Sequence, residues 1–486
     1  MLLADILTKL NEKGLIISMP SGDIEIKDLS YNSQKVSDCC LFICKGITFK
    51  KEYLIDAVNN GAVVYLSETD YEVNIPCIKV SDIRKAMAVT SAVFYGNPAE
   101  KLHIIGVTGT KGKTTTAFMV KSIFDASHVP CGIMTTVRVE TGKSITPSTM
   151  TTPESPDLQR MLSEMVESGY KYAVMEASSQ GLQYDRIYDI KMASGAFVNI
   201  GLDHISPLEH KDFQEYFDAK KKIFEHTHKA VIVNDDEHSG EMIAAAKKNG
   251  CEILTYGFDE SADIYAYNIR KEGIVTKYTV RTPLWTADFT LPMLGTFNVY
   301  NSLAAIGLCM DQFTAAQLQK GIESMRIPGR MNVFTDGEIT VIVDYAHNRM
   351  SFETLFNSLR KEFPDKRMIS VFGCPGSKAL VRRKDLGEAT GKLCDFTVLT
   401  AEDPNYDDVS EINKEVAAYI DKYNGKYISI PDRKSAIEYA VNHATKDDVV
   451  VICGKGEEKY QRVNNGYIPY EGDIDLAEYY LANRKK

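Results

Sequence analysis

The sequence lacks both an apolar run long enough to span a membrane and a cysteine pattern typical of disulfides. A spanning helix needs about 20 mostly apolar residues, and no stretch approaches that length. The ten cysteines are scattered; Cys39 and Cys40 are adjacent, but there is no CxxC pair. Such usage is typical of reduced, mostly buried thiols. We therefore expect a cytoplasmic protein without membrane insertion, disulfides or a zinc site.

An excess of positive charge is also lacking. The net charge is −10 and the isoelectric point is near 5.5. Electrostatic binding to nucleic acid or to an anionic membrane needs a basic surface, so neither is expected as a partner. Residues 1–14 carry Asp5 within an apolar stretch and lack a basic start. We predict a short amphipathic helix there and not a signal peptide.

Short apolar strands alternate with helical stretches along the chain, and this alternation predicts an α/β fold. At about 150 residues per domain, the chain corresponds to about three domains. We predict them at residues 1–99, 100–330 and 331–486, separated by a Gly-Asn-Pro turn at 96–98 and a hinge at 326–330. The middle domain is predicted to hold a parallel sheet with a small antiparallel insert at 264–291. The last is predicted to be doubly wound and Rossmann-like.

The strongest motif is GTKGKTT at residues 109–115, between the apolar strand 103–107 and a helix. Glycines let backbone N–H groups close around phosphate oxygens, Lys113 supplies a positive charge, and the Thr114 hydroxyl can coordinate Mg²⁺. The alternative is a Gly/Lys-rich turn without a ligand. The strand before and the helix after the motif favour a nucleotide site.

Further polar residues follow predicted strands in the middle block. Glu176 and His204 each stand at an expected strand end, where α/β sheets bind ligands, and together they could hold a divalent metal. His204 alone fits a hydrogen-bonded surface histidine equally well. Asn298 and Asn301 are three residues apart at a helix start, so they share a face that could meet a purine edge. The alternative is a helix cap at Asn298 with an unrelated, exposed Asn301.

The last block repeats this arrangement. Asp344 and His347 follow one predicted strand, and Gly454 and Glu458 follow another. The loop EDPN at 402–405 is followed by two further acidic residues, which suits an amine-bearing substrate. By itself, EDPN is equally well a turn.

In chain order, GTKGKTT, EASSQGL, NIGLDH, AKKKIF, GTFNVYN, PGR, DYAH and GKGEE resemble the Mur ligase family. Within it the chain is most similar to the muramyl-tripeptide synthetases, because residues 29–46 resemble their uridine-nucleotide domain and TTPES at 151–155 also matches. The resemblance implies an ATP-dependent ligase of peptidoglycan synthesis. It would add an amino acid to UDP-N-acetylmuramoyl-L-alanyl-D-glutamate through an acyl phosphate. We expect small-molecule partners and a monomer.

The resemblance also implies residue roles. ATP would be bound by Gly109, Thr110, Lys111, Gly112, Lys113, Thr114, Thr115, Asn298, Asn301, Arg330, Asp344 and His347. Two Mg²⁺ ions would be held with Thr114, Glu176, His204 and Lys220, the last as a carbamate and with Lys221 as the alternative position. The catalytic set would be Lys113, Glu176, His204 and Lys220. The UDP-sugar dipeptide would be bound by Ser30, Ser33, Thr151, Thr152, Ser178 and Arg186.

The incoming amino acid would contact Arg383, Asp403, Asn405, Gly454 and Glu458. Family members that add meso-diaminopimelate typically read DNPR here, and their Arg pairs with the distal carboxylate. Asn405 stands at that position, and we expect no cation there to neutralise a second carboxylate. The resemblance therefore predicts L-lysine, with meso-diaminopimelate or a folylpolyglutamate-synthase-like reaction as alternatives. A P-loop kinase would have no reason to carry DYAH and GKGEE.

Overall fold

The computed structural model describes residues 1–46, 48–201, 209–327, 329, 331–377 and 380–484. The chain forms two compact units. Unit 1 comprises Met1–Arg270, Lys277–Leu291 and Thr296–Met325, and unit 2 comprises Lys271–Thr276, Pro292–Gly295 and Arg326–Lys486. The predicted α/β class is confirmed, since the three large sheets are mainly parallel with helices between their strands. The predicted boundary at residue 99 falls inside unit 1 and stays a prediction.

The first sheet has five strands in the order β1-β5-β4-β3-β2. They are β1 Ile16–Ser18, β2 Asp28–Ser30, β3 Cys40–Ile43, β4 Ala62–Ser67 and β5 Cys77–Val80, with helices α1 Leu3–Glu12, α2 Lys51–Asn59 and α3 Ile83–Phe94. The predicted N-terminal helix is present, and its Leu3, Ile6 and Leu10 are buried on one face. That face packs into the core formed with α3 and the sheet.

The second sheet has eleven strands in the order β16-β15-β14-β13-β12-β11-β6-β10-β7-β8-β9. They are β6 His103–Thr108, β7 Cys131–Met134, β8 Arg138–Glu140, β9 Ile145–Pro147, β10 Tyr172–Glu176, β11 Met192–Phe197, β12 Thr227–Val233, β13 Glu252–Gly257, β14 Ile264–Glu272, β15 Val275–Arg281 and β16 Thr286–Leu291. The helices are α4 Lys113–Ala126, α5 Ser155–Glu167, α6 Ser179–Gln183, α7 Phe213–Lys221, α8 Ser239–Lys248, α9 Thr296–Cys309 and α10 Ala315–Glu323. Strands β14 to β16 occupy the range predicted for the insert.

Strand β6 lies in the interior of this sheet and pairs in parallel with β10 on one side and β11 on the other. In register, Val107 of β6 lies opposite Glu176 of β10, and Thr108 lies opposite Phe197 of β11. Parallel neighbours end at the same edge of a sheet, where α/β proteins bind ligands. The loops after β6, β10 and β11 are therefore neighbours.

The third sheet has six strands in the order β17-β18-β22-β19-β20-β21. They are β17 Asn332–Thr335, β18 Thr340–Asp344, β19 Arg367–Phe372, β20 Phe396–Leu399, β21 Tyr427–Ser429 and β22 Asp448–Cys453, and a separate hairpin is formed by β23 Tyr460–Val463 and β24 Gly466–Pro469. The helices are α11 Arg349–Glu362, α12 Val381–Leu393, α13 Val409–Ile420, α14 Arg433–His443 and α15 Asp473–Ala482. Apolar clusters cover both faces of the sheet, as a doubly wound fold requires. Across the described ranges, no helix combines the length and apolar character needed to cross a membrane.

Candidate active site

The GTKGKTT loop runs from the end of β6 to the first residue of α4. Two of its glycines are required by close approaches. A Cβ on Gly109 would lie 2.4 Å from Cγ2 of Val198, and one on Gly112, whose φ is +82°, would lie 2.2 Å from Oδ1 of Asn301. The N–H groups of the first turn of α4 lack intrahelical acceptors, so the loop presents donors for an anion.

Lys113 lies folded against this loop. Its Nζ donates to the carbonyl oxygens of Gly109 at 2.9 Å and Thr110 at 3.1 Å. The ammonium is thus fixed at the loop by the loop's own backbone. A phosphate bound by the helix N-terminus would meet this charge.

Glu176 is the buried acid of the site. It is 1% exposed at the end of β10. Its Oε1 accepts from the Thr114 hydroxyl at 2.7 Å and from the Thr136 N–H at 2.9 Å, and its Oε2 accepts from the Thr136 hydroxyl at 3.1 Å. The Thr136 hydroxyl also donates to Thr151 at 3.1 Å. These threonine partners are uncharged, so they solvate the carboxylate without neutralising it.

The Thr114–Glu176 pair fits a magnesium ion. Magnesium takes hard oxygen ligands and, in nucleotide sites, uses one or two protein groups with waters and phosphate oxygens completing its shell. The Thr114 hydroxyl and one carboxylate oxygen of Glu176 could supply these protein ligands. No cluster of three His, Cys, Asp or Glu side chains that could hold a metal occurs among the residues the structure describes. The predicted ligand His204 lies outside the described residues, as does Arg330.

Lys220 points into the same site. It is 1% exposed, its Nζ donates to the carbonyl of Gly109 at 2.8 Å, and it lies 4.5 Å from the centre of the Tyr216 ring. Lys221, in contrast, forms surface ion pairs with Asp218 and Glu241 at 3.2 and 3.0 Å. Of these two candidate positions, Lys220 is therefore the one that reaches the phosphate loop.

Asn199 was given no role by sequence reasoning, yet it holds the phosphate loop. Its Oδ1 accepts from the N–H of Thr110 at 3.2 Å and of Lys111 at 2.9 Å, and its Nδ2 donates to the Lys111 carbonyl at 3.0 Å. Tyr216 supports the loop from another side, with its hydroxyl 2.8 Å from that of Thr110. The sequence carried one signal that could have identified this role, because Asn199 stands just after a buried strand.

Asn298 and Asn301 share one face of α9, as predicted from their spacing. Both are buried, and Nδ2 of Asn301 donates to Oδ1 of Asn298 at 3.2 Å. Asn301 also lies against Gly112, so this pair borders the phosphate loop. The alternative with an exposed Asn301 is wrong. Contact of either amide with adenine stays a prediction.

Three residues predicted for the acceptor surround the end of β10. Oγ1 of Thr152 donates to the Glu176 carbonyl at 2.8 Å and accepts from the Ser178 N–H at 2.9 Å. Nη1 of Arg186 donates to the Thr152 carbonyl at 2.9 Å. These residues therefore lie directly behind the acid that faces the phosphate loop.

Glu154 joins this region to the first sheet, and sequence reasoning missed it. It is 5% exposed; Oε1 pairs with Lys45 at 2.9 Å and Arg186 at 3.2 Å, and Oε2 pairs with Arg84 at 3.0 Å. Burial alone would raise the pKa of Glu154, but Arg186, Lys45 and Arg84 hold it below its usual value. Because three cations surround one carboxylate, a net positive charge remains that could attract an anionic substrate.

Ser30 ends β2 and Ser33 lies in the short 3-10 helix that follows, far along the chain from the other residues predicted to bind the acceptor. The Ser30 hydroxyl donates to the Asn32 carbonyl at 2.9 Å and accepts from the Asn32 N–H at 3.1 Å. The Ser33 carbonyl accepts from Nδ2 of Asn60 at 2.9 Å. These bonds are internal to the first sheet region. A uridine-binding role for the two serines stays a prediction.

In unit 2, Lys455 forms ion pairs with two of the residues that were predicted to bind the amino acid. It is fully buried, and its Nζ pairs with Asp403 at 2.7 Å and Glu458 at 2.6 Å. The Tyr345 hydroxyl donates to the other oxygen of Glu458 at 3.0 Å. The loops after β20 and β22 are thereby tied together.

Glu402 lies beside this cluster, next to Asp403 in the chain. Its Oε2 is buried, has no hydrogen-bond partner among the described residues, and lies 3.5 Å from the position of a Cβ on Gly454. Burial raises the pKa of Glu402 to about 7; Arg433 counteracts it. Arg433 itself is paired with Asp473 at 2.7 Å. A buried carboxyl oxygen without a hydrogen-bond partner among the described residues could accept from an incoming ammonium.

Asp344 and His347 follow β18, which lies beside β22, so DYAH and GKGEE end at one edge of the sheet. Asp344 accepts from the N–H of Ala346 at 2.8 Å and of Met331 at 2.9 Å. Nδ1 of His347 lies 2.8 Å from the Tyr345 carbonyl. The structure places Asp344 at the end of β18 and His347 in the loop that follows, and their contact with ATP stays a prediction.

The expectation that no cation stands near Asn405 is wrong. A pocket of about 240 Å³ is lined by Gly376, Ser377, Asp403, Asn405 and Arg462. Arg462 lies on β23, and sequence reasoning missed it because it belongs to no motif. Arg383, which was predicted to bind the amino acid, is buried and pairs with Asp407 and Glu415 at 2.7 and 2.8 Å.

The fold and the loop define the class: a P-loop nucleotide-binding protein whose phosphate loop lies beside a buried acid and lysine. Residues 107–309 match the Mur ligase middle domain, and residues 329–456 match the glutamate ligase domain of Mur ligases. The UDP-N-acetylmuramoyl-L-alanyl-D-glutamate–L-lysine ligase of Enterococcus faecalis is 38% identical over 97% of this chain and 94% of its own length. The chain belongs to the Mur ligase family, and it is an ATP-dependent, magnesium-using ligase.

Solved structures agree with this assignment. A UDP-N-acetylmuramoyl-L-alanyl-D-glutamate–2,6-diaminopimelate ligase aligns with a TM-score of 0.69 and 27% identity, covering 94% of this chain and 95% of that one. A folylpolyglutamate synthase from Thermotoga maritima aligns with a TM-score of 0.58 and 15% identity, over 76% of this chain and 90% of that one. The second likeness shows a shared fold alone.

Proposed function

We propose that this chain joins L-lysine to UDP-N-acetylmuramoyl-L-alanyl-D-glutamate with hydrolysis of ATP to ADP and phosphate, in the cytoplasm and as a monomer. The relative from Enterococcus faecalis carries that activity in its name and matches almost the whole chain. The observation that carries the proposal is the convergence of Lys113, Glu176 and Lys220 on one phosphate loop. The UDP-sugar is assigned to residues 1–99, ATP to 100–330 and the amino acid to 331–486.

The reaction proceeds in two balanced steps. A carboxylate oxygen of the D-glutamyl residue attacks the γ-phosphorus of ATP, and the bond to the bridging oxygen breaks, giving an acyl phosphate and ADP. The neutral amine of lysine then attacks the acyl carbon, and the tetrahedral intermediate expels phosphate as the nitrogen loses its proton. Phosphorylation is needed because phosphate is a far better leaving group than oxide.

The residues mainly position the reactants and neutralise charge. Lys113 and the first-turn N–H groups of α4 would hold the phosphates, while Thr114 and Glu176 would hold magnesium. When bound, magnesium would neutralise the negative charge that develops during phosphoryl transfer.

Lys220 is proposed to carry a carbamate. The modification would turn its cation into a carboxylate at the phosphate loop and so provide a further oxygen ligand for a second ion, together with His204. Its burial beside the phosphate loop supports this role. Asn199 and Tyr216 would hold the loop in place during turnover.

L-lysine is favoured over a dicarboxylic diamine by the acidity around its pocket. Asp403 and Glu402 lie at or beside it, and Asn405 supplies no charge. The compound meso-diaminopimelate stays a second candidate because Arg462 lines the pocket, where its guanidinium could pair with a distal carboxylate.

An amino-acid panel tests the proposal. The purified protein is supplied with ATP, magnesium, the UDP-sugar dipeptide and either L-lysine, meso-diaminopimelate, L-ornithine or L-glutamate, and ADP release and product mass are measured. We expect ADP release that requires both the dipeptide and L-lysine, with one lysyl residue added per ADP. Faster incorporation of meso-diaminopimelate than of lysine would overturn the assignment of the amino acid.

A further inference from the structure

The hairpin of β23 and β24 is attached to the loop that follows β20. The Arg462 N–H donates to Oδ1 of Asp403 at 3.1 Å, and the Arg462 carbonyl accepts from the Asn405 N–H at 2.9 Å. Asn405 closes the attachment through its side chain, which accepts from the Asn465 N–H at 2.7 Å. The backbone of Arg462 is therefore held beside the pocket that Asp403 and Asn405 line.

The guanidinium of Arg462 is short of acceptors. One Nη donates to the side-chain oxygen of Asn465, which is uncharged. The Nε–H is buried and has no acceptor, and no ion pair of Arg462 is formed, within the part of the chain that the structure describes. A buried N–H donor without an acceptor is costly unless a ligand supplies one.

Arg383 differs from Arg462 in forming ion pairs, although its Nε–H is likewise buried without an acceptor among the described residues. Its two Nη groups already pair with Asp407 and Glu415, so its charge is compensated inside the protein. Arg462, which lines the same pocket as Asp403 and Asn405, retains an uncompensated positive charge. Of these two arginines, Arg462 is the one whose charge is available to a ligand.

From this arrangement we infer that Arg462 binds the α-carboxylate of the incoming amino acid and so determines that the substrate is an amino acid and not a simple amine. The inference rests on the proposed function. A guanidinium and a carboxylate form paired, charge-assisted hydrogen bonds, which give both affinity and orientation. A pocket of about 240 Å³ suits one end of an amino acid better than a larger ligand. The neighbouring acidic groups remain for the ammonium.

The test compares L-lysine with L-lysinamide, which keeps both amines and lacks the carboxylate. Steady-state constants are measured for the unmodified enzyme and for Arg462→Met and Arg462→Lys. Loss of a hydrogen-bonded charge pair should raise KM for L-lysine by about 10- to 100-fold in Arg462→Met, with kcat nearly unchanged. Its KM for L-lysinamide should stay near that of the unmodified enzyme, so the preference for lysine disappears. Arg462→Lys should recover part of the preference.

Asn465→Gly is the matched control. It removes the uncharged acceptor of Arg462 but leaves the guanidinium, and glycine suits the φ of +59° at this position. It should keep the preference for lysine over lysinamide. An Arg462→Met enzyme that retains the preference, or that raises both KM values equally, would overturn the inference, since the second result indicates a purely structural role.

Failure of the proposed function gives a different result. The unmodified enzyme would then release no ADP in response to L-lysine. If meso-diaminopimelate were used in its place, the same variants would be assayed with that amino acid and its amides. The inference is supported if Arg462→Met no longer distinguishes meso-diaminopimelate from its α-amide. It is overturned if this variant loses only the distinction between meso-diaminopimelate and its distal amide.

Discussion

The Thr114 hydroxyl donates to Oε1 of Glu176 at 2.7 Å, joining the first turn of α4 to the end of β10. The two residues are 62 positions apart, and they meet because β6 and β10 are parallel neighbours. The pair places an oxygen-rich ligand set at the positive end of a helix, where phosphates bind. It is the local geometry on which the phosphate chemistry of this ligase depends.

Replacing Lys113 by alanine should lower kcat by at least about 100-fold, because the charge over the phosphate loop is lost. ADP release in the complete reaction is the measurement. Lys121→Ala is the control, since Lys121 lies on the same helix but pairs with Asp125 away from the loop. Retention of about a tenth of the wild-type rate by Lys113→Ala would count against the assigned role.

Lys220→Ala should be inactive and should regain activity with formate or acetate. A short carboxylate can occupy the space left by the side chain and replace the carbamate oxygens beside Gly109. Activity is titrated against added carboxylate, with Lys221→Ala as the control because Lys221 pairs at the surface. A folded Lys220→Ala enzyme that no carboxylate rescues would make Lys220 a structural residue.

Glu154→Gln should raise KM for the UDP-sugar dipeptide by about 10-fold or more, with KM for ATP little changed, because the three cations around it lose their common partner. Burial lowers the pKa of Lys45, and Glu154 opposes that shift. Without Glu154 the lysine should lose its proton at lower pH, so affinity for an anion should fall earlier as pH rises. Glu154→Asp should restore much of the affinity.

The pH profile of KM separates this role from simple destabilisation. If Glu154 positions the cations, the alkaline limb of the profile moves to lower pH in Glu154→Gln. A KM raised by the same factor at every pH would contradict the prediction, and so would equal changes in KM for ATP and for the dipeptide.

Glu402 should make unit 2 less stable as pH rises. Its folded pKa of about 7 exceeds the usual value of 4.5. Between these values the folded state holds a proton that the unfolded state has released, so the free energy of unfolding falls with rising pH, by up to about 3 kcal/mol in total. Urea unfolding is measured at pH values below, within and above this window. Glu402→Gln should unfold with a smaller pH dependence, and an unchanged slope would contradict the assignment.

Much of the fold could be predicted from sequence because buried parallel strands appear as short apolar runs. The apolar strand expected at 103–107 is only one residue shorter than β6. Motif residues at strand ends were found for the same reason. Glu176 and Asp344 stand where a buried strand stops and a polar loop begins.

Residues whose partners come from distant segments could not be predicted in this way. The role of Glu154 depends on its ion pairs with Lys45 and Arg84, which lie in the region of the first sheet. Arg462 lies on a short exposed hairpin with no motif, and only its pairing with the loop at Asn405 brings it to the pocket. Such contacts depend on tertiary structure, and spacing along the chain carries no signal for them.

Transfer of isotope tests the central claim most directly. The D-glutamyl carboxylate of the UDP-sugar dipeptide is labelled with ¹⁸O, the reaction is run with ATP and L-lysine, and the released phosphate is examined by mass spectrometry. Activation through an acyl phosphate predicts that each phosphate carries one oxygen from that carboxylate. Release of unlabelled phosphate alongside the amide product would contradict the account.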